Sequence, residues 1–206
     1  MLIGITTPDF FEEEIHQILF WLENGIDILH IRKPNASEKE VEDFITSIPI
    51  SYHNKITLHQ YHHLVERFDL GGVHFRESDR RSTDKDVFNY WIEKKVRISS
   101  SVHDFDELSY LPNKFDYLFL SPVFDSISKE GYQANSSILK KMKENIISTQ
   151  KIIALGGISP QTILSLKGSS FKGVALLGYL WATSSDQLIS KAEQLLSSWK
   201  TIDLLP

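Results

Sequence analysis

Eight short apolar runs recur along the chain, at residues 2–6, 27–32, 55–59, 72–75, 96–101, 116–121, 151–155 and 173–177. The segments between them carry helix-start and helix-stop chemistry. Ser37 with Glu40 makes a capping box, as do Thr83 with Asp86 in weaker form and Asp104 with Glu107. Ser159-Pro160 reads as an N-cap followed by a first-turn proline, and Gly25 follows FEEEIHQILFWLEN where a left-handed cap is expected. Strands alternating with helices demand right-handed crossovers and a parallel sheet. Eight such units close into a (β/α)8 TIM barrel, here one domain over residues 1–206. An open doubly wound sheet is the competing architecture, but no Gly-x-Gly-x-x-Gly turn follows the first strand. The glycine turns come instead after the last two strands, at Gly156-Gly157 and Gly178.

Composition narrows the function classes. A net charge of −5 argues against a surface for nucleic acid, which needs a basic face. The absence of cysteine excludes disulfides, thiolate catalysis and cysteine-zinc sites. No apolar run approaches the ~20 residues of a membrane span, and MLIGITTPDFF lacks the pattern of a signal peptide. The expectation is a cytoplasmic protein acting on small molecules, with pairing into a homo-oligomer left open.

In a barrel the residues that end the strands face the active site. Side chains alternate along a strand, so on DILHIRK His30 and Arg32 share the inward face. The same parity turns Thr57 and His59, Gly72 and His74, and Ser99, Ser101 and His103 inward. Four imidazoles and a guanidinium therefore converge near the mouth, and such groups need partners. His62 and His63, in HQYHH, read as surface residues of the next helix. A histidine-ligated metal is not favoured by the sequence, because no acidic partner stands where it would orient the ligands.

The phosphate-binding end of a barrel lies after strands seven and eight. There IIALGGISPQTI offers two glycines and a capped helix, and GVALLGYLW a second turn. Glycines let the backbone approach an anion closely. The loop SPVFDSISKEGYQAN is long enough to cover a ligand, with Ser126, Ser128 and Lys129 as candidate contacts.

These stretches resemble the thiamine phosphate synthase and thiazole tautomerase family of barrels. The likeness runs through DILHIRK, GVHFRESD, ISSSVHDFDEL, DYLFLSPVFDSISK, KIIALGGIS and GVALLGYL, nearly the whole chain. It implies a role in thiamine biosynthesis and binding of a hydroxyethyl-thiazole phosphate. In the synthase branch, Mg2+ helps a pyrimidine diphosphate lose pyrophosphate to the attacking thiazole. In that branch's Gln-x-Arg-x-Lys pattern, Arg32 is retained, but the glutamine is His30 and the lysine is Pro34, with Lys33 one residue early on the opposite face. In its Asn-Asp-Arg motif the magnesium carboxylate is replaced by Gln60, while Asp79 matches the second metal aspartate. Ser101 and Lys129 match pyrophosphate contacts. Gly156, Gly157 and Gly178 match the thiazole-phosphate end, where the family's usual Ser-Ala reads Gly178-Tyr179.

Loss of pyrophosphate depends on cations that neutralise it. The departures therefore favour the tautomerase branch, a proton-transfer isomerase that requires no cofactor. In it the phosphate turns hold the substrate, Arg32 holds its carboxylate and His103 shuttles the proton, with Lys129 closing over the site. The synthase, a transferase with Mg2+ and pyrimidine diphosphate, is the alternative. A non-catalytic thiazole-phosphate binder and an unrelated phosphate-dependent barrel enzyme are the others.

Overall fold

The computed structural model describes residues 1–112, 114–125, 136–144 and 150–202. Eight parallel strands close into a barrel in chain order. They are β1 (Leu2–Ile5), β2 (Ile28–Ile31), β3 (Ile56–Leu58), β4 (Gly72–Phe75), β5 (Arg97–Val102), β6 (Tyr117–Leu120), β7 (Ile152–Leu155) and β8 (Gly173–Leu176). Pairing of β1 with β8, Gly4 opposite Leu176, rules out the open sheet. Each expected run coincides with one strand, most of them shorter than the run; β5 is shifted by one residue and extends to Val102. The trimmed ends have a reason. Asp27 and Asp116 stand before β2 and β6, and their carboxylates accept the amides of Leu2 and Ile98, each at 2.8 Å, tying down the neighbouring strand instead of extending their own.

The helices are α1 (Glu14–Glu23), α2 (Glu38–Thr46), α3 (Leu64–Arg67), α4 (Glu77–Ser82), α5 (Lys85–Glu93), α6 (Ser136–Lys143), α7 (Pro160–Ile163) and α8 (Ser185–Thr201). On α1, Ile18, Trp21 and Leu22 recur at helical spacing and are buried. The Trp21 indole donates to Leu180 O at 3.0 Å, and the Gln17 amide both donates to Ala182 O and accepts from Ala182 N. These contacts seal the seam between the first and last strands. Gly25 follows α1 with φ +116°, as expected of a cap residue. The capping boxes at Ser37 and Ser159 are both formed. Two others are corrected. Asp84 rather than Thr83 caps α5, because the Thr83 hydroxyl is already bonded to Asp79 O at the end of α4. Asp104 accepts from the Asp106 amide and starts a 3-10 turn, Phe105–Ser109, without Glu107, whose carboxylate is bonded to Arg80. Among the described residues no helix is long and apolar enough to cross a membrane.

Two apolar clusters form. One lies between sheet and helices, and the smaller one fills half of the barrel interior with Ile3, Ile5, Ile28, Tyr117, Phe119, Ile153 and Ala175. The other half of the interior, facing β2 to β5, is polar: His30, Thr57, His74 and Ser99 are all buried there. Such a split is unusual for a barrel, whose layers are ordinarily branched aliphatics. His62 departs from the surface position expected of it. Its ring packs edge-on to Phe75, at 4.7 Å between centroids, and its Nε2–H donates to His74 O at 3.1 Å. His63 is exposed and pairs with Glu38.

Candidate active site

A cavity of about 490 Å³ opens at the carboxyl ends of the strands. That size suits a small organic ligand. One wall is backbone. Gly156, Gly157, Gly178 and Tyr179 line it. Gly157 has φ +62°, and a Cβ there would stand 2.2 Å from Asp125 O, so only glycine lets the turn pass under the segment after β6. Thr162, within its capping box with Ser159, donates to Gly157 O at 2.7 Å and fixes the turn. The amides of Gly157 and Gly178 meet no protein acceptor among the described residues. Free amides on a glycine turn are the means by which a backbone holds a phosphate.

The opposite wall carries charge. Arg32, just past β2, has its amide held by Thr6 Oγ1 at 2.8 Å. Its guanidinium makes no hydrogen bond or ion pair among the described residues. Burial, and then the nearby Arg76, hold its pKa below the usual arginine value. An unpaired, half-buried guanidinium is a natural partner for an anionic ligand group. Between the two walls sits His103. Its Nδ1 lies 3.1 Å from both the carbonyl oxygen and the hydroxyl of Ser121; the carbonyl only accepts, so a neutral ring protonated on Nδ1 satisfies it, with the hydroxyl accepting beside it. Nε2 is then the basic nitrogen, 3.9 Å from the Glu77 carboxylate.

Beneath the cavity floor lies a set of buried bonds. His30 Nε2 meets the Tyr117 hydroxyl at 2.7 Å, and its Nδ1 meets His59 Nε2 at 2.9 Å. His74 bonds Ser99 through Nδ1 and Ser101 through Nε2, both at 2.9 Å. Burial drives all three rings toward the neutral form, pulling His74 down to about 3.

The structure thus brings His103, Arg32, Ser101, Gly156, Gly157, Gly178 and Tyr179 around one cavity. It does not bring His30 there: the ring is wholly enclosed, and His59 and His74 reach the cavity in its place. Ser126, Ser128 and Lys129 lie outside the described residues. Parity along the strands overlooked Arg76 and Glu77, which also line the cavity. The signal was present, since they are the charged pair directly after β4, where loop residues of a barrel do chemistry.

Comparison with known proteins agrees with this geometry. Residues 2–180 match the family model described as thiamine monophosphate synthase. The chain belongs to this family. Thiamine-phosphate synthase of Klebsiella pneumoniae is 25% identical over 83% of this chain and 84% of its own. That of Flavobacterium johnsoniae is 24% identical over 89% and 88%. A crystal structure of thiamine phosphate pyrophosphorylase from Bacteroides thetaiotaomicron superimposes with a TM-score of 0.77 at 29% identity, covering 97% of both chains.

The magnesium ion associated with thiamine phosphate synthases can be tested against the residues present. A hard dication wants several oxygen donors, carboxylates among them. Gln60 is neutral, and its amide donates to Lys33 O at 2.6 Å. Asp79, expected as a ligand, has both oxygens on the Arg76 guanidinium at 2.7 and 3.0 Å, which holds its pKa below the usual carboxylate range. Lys33 points away from the cavity, fully buried against Glu14 at 2.6 Å. Among the described residues this donor set does not fit a magnesium ion: of the two family positions one is neutral and the other, Asp79, is held by a guanidinium.

Proposed function

We propose that the chain is a thiamine-biosynthetic isomerase of the tautomerase type, acting on a thiazole carboxylate phosphate. The phosphate sits on the amides of Gly157 and Gly178, and the carboxylate on Arg32. His103 Nε2 takes a proton from one ring position and returns it to another, so the product has the same atoms and charge as the substrate. Glu77 faces the imidazolium that forms between the two transfers. The observation that carries this reading is the replacement of the magnesium end by Gln60 and by the Arg76–Asp79 pair, while the phosphate turn and the histidine remain. Proton transfer needs the second set and not the first.

Thiamine phosphate synthesis is the second reading. It is favoured by the names of the relatives and by retention of Arg32 and Ser101 at the cavity. Two assays separate the readings. Isomerisation of the thiazole carboxylate phosphate is followed by proton NMR, and thiamine phosphate formation is measured with thiazole phosphate, pyrimidine diphosphate and Mg2+. Isomerisation that is lost in His103→Ala supports the first reading. Robust thiamine phosphate formation overturns it, and ligand binding without turnover in either assay leaves a non-catalytic binder.

A further inference from the structure

Three histidines on consecutive strands, His30 on β2, His59 just after β3 and His74 on β4, meet inside the barrel. One nitrogen from each falls within 4.8 Å of the others, and all three residues are buried. Their ring centroids stand 4.1, 5.1 and 5.3 Å apart. With metal–nitrogen bonds near 2.0–2.1 Å, imidazoles sharing one ion at angles between square and tetrahedral have centroids roughly 4.5–5.2 Å apart. His30 stands edge-on to both partners at about these separations, whereas His59 and His74 are stacked with 26° between their planes, so one of these two rings turns when all three share an ion.

The outer contacts are those that orient metal-bound imidazoles. The Ser99 hydroxyl gives its proton to Val73 O, at 3.3 Å, so it accepts from His74 Nδ1–H. His74 Nε2 is then a lone pair, met by the Ser101 hydroxyl. Tyr117 can accept from His30 Nε2–H, which leaves His30 Nδ1 a lone pair directed at His59 Nε2. His59 Nδ1 is buried with no hydrogen-bond partner among the described residues. No carboxylate belongs to the cluster. Three neutral imidazoles suit borderline first-row ions and not magnesium or calcium. His59, His74 and Ser101 also line the cavity, so the remaining coordination position faces the ligand space.

We propose that His30, His59 and His74 form a binding site for a divalent first-row transition ion of the zinc class, open on its fourth side to the cavity. The site is independent of which reaction the cavity performs, and of the magnesium end described above.

The test uses the full chain stripped with EDTA and titrated with Co2+, then Zn2+. Expected are about one equivalent of Co2+ per chain, with the intense visible absorption of a four-coordinate ion, its displacement by Zn2+ and its indifference to excess Mg2+. His59→Ala should weaken binding by ~100-fold or more, and His63→Ala, on the surface, should leave it unchanged. X-ray absorption of the zinc-loaded wild type should count three imidazoles, a readout that stands even if the His59 variant fails to fold. Weak Co2+ uptake without the four-coordinate spectrum, or binding lost in His63→Ala but kept in His59→Ala, overturns the proposal.

Discussion

Replacement of Lys33 by methionine separates structure from catalysis at the residue next to the position where the synthase pattern has its lysine. The Lys33 ammonium is wholly enclosed, bonded to both Glu14 oxygens at 2.6 and 2.7 Å and to Asp9 O at 2.9 Å. It also lies 4.5 Å from the Phe10 ring and 5.0 Å from that of Phe44. Lys33→Met leaves a carboxylate that is 1% exposed without its counter-charge. Breaking a buried pair from one side costs about 3–5 kcal/mol. Protonation of Glu14 limits that cost. Burial already raises its pKa above the ordinary 4.5, and loss of the lysine raises it further. Taking up a proton at pH 7 costs about 3.4 kcal/mol, and at pH 5.5 about 1.4 kcal/mol. The sign follows from linkage. A carboxyl whose folded pKa is raised costs little below its unfolded pKa, and the penalty grows as pH rises toward the folded pKa. Urea unfolding should therefore show Lys33→Met destabilised by about 3 kcal/mol at pH 7 and about half that at pH 5.5. The melting temperature at pH 7 should fall by roughly 6–12 °C. Glu14→Leu/Lys33→Met should recover to within about 1 kcal/mol of wild type. A single variant that loses less than about 1 kcal/mol, or loses the same at both pH values, refutes the reasoning. Loss of turnover with stability intact would instead place the lysine in the chemistry.

Other substitutions probe the cavity. Arg32→Ala should weaken binding of the carboxylate substrate by about 10- to 100-fold, read as a rise in KM, with Arg32→Lys recovering part of it. Gly157→Ala must displace Asp125 O from 2.2 Å and adopt a positive φ, so it should lower both the melting temperature and the affinity for inorganic phosphate, measured by calorimetry. Glu77→Gln removes the charge facing His103 and should reduce kcat more than KM, while the half-exposed His103→Ala should shift unfolding free energy by no more than about 0.5 kcal/mol.

The barrel was legible because its signals are local and repeat eight times. Alternation along DILHIRK and RISSSVHD placed inward side chains correctly, since a strand has only two faces. What parity does not report is depth. His30 and His103 share an inward address, yet one is sealed beneath the floor and the other is 47% exposed. Depth depends on the tilt and register between strands, and those are tertiary facts. The Arg76–Asp79 bond was invisible for a related reason. A guanidinium three residues before a carboxylate is ordinary surface chemistry on a helix start, and only the folded loop shows that it holds both carboxylate oxygens. Parity turned His30, His59 and His74 inward together, but the metal reading was sought along one stretch of chain. HQYHH drew attention to neighbours in sequence, whereas His59 finds its partners on the two flanking strands.

The contacts of Trp21 with Leu180 and of Gln17 with Ala182 join residues 159 and 165 positions apart. Loops of that span close late, because the entropy of bringing distant segments together must be met before the contact rewards it. Strands β2 to β7 can pair neighbour to neighbour as the chain emerges during synthesis, but β1 and β8 cannot meet until the chain has been made through β8. The cavity draws on both sides of that seam, with Ile5 and Pro8 from one and Gly178 and Tyr179 from the other. Ligand affinity is thus a property of the sealed ring alone. Any ligand that binds there therefore stabilises the closed ring against reopening by mass action.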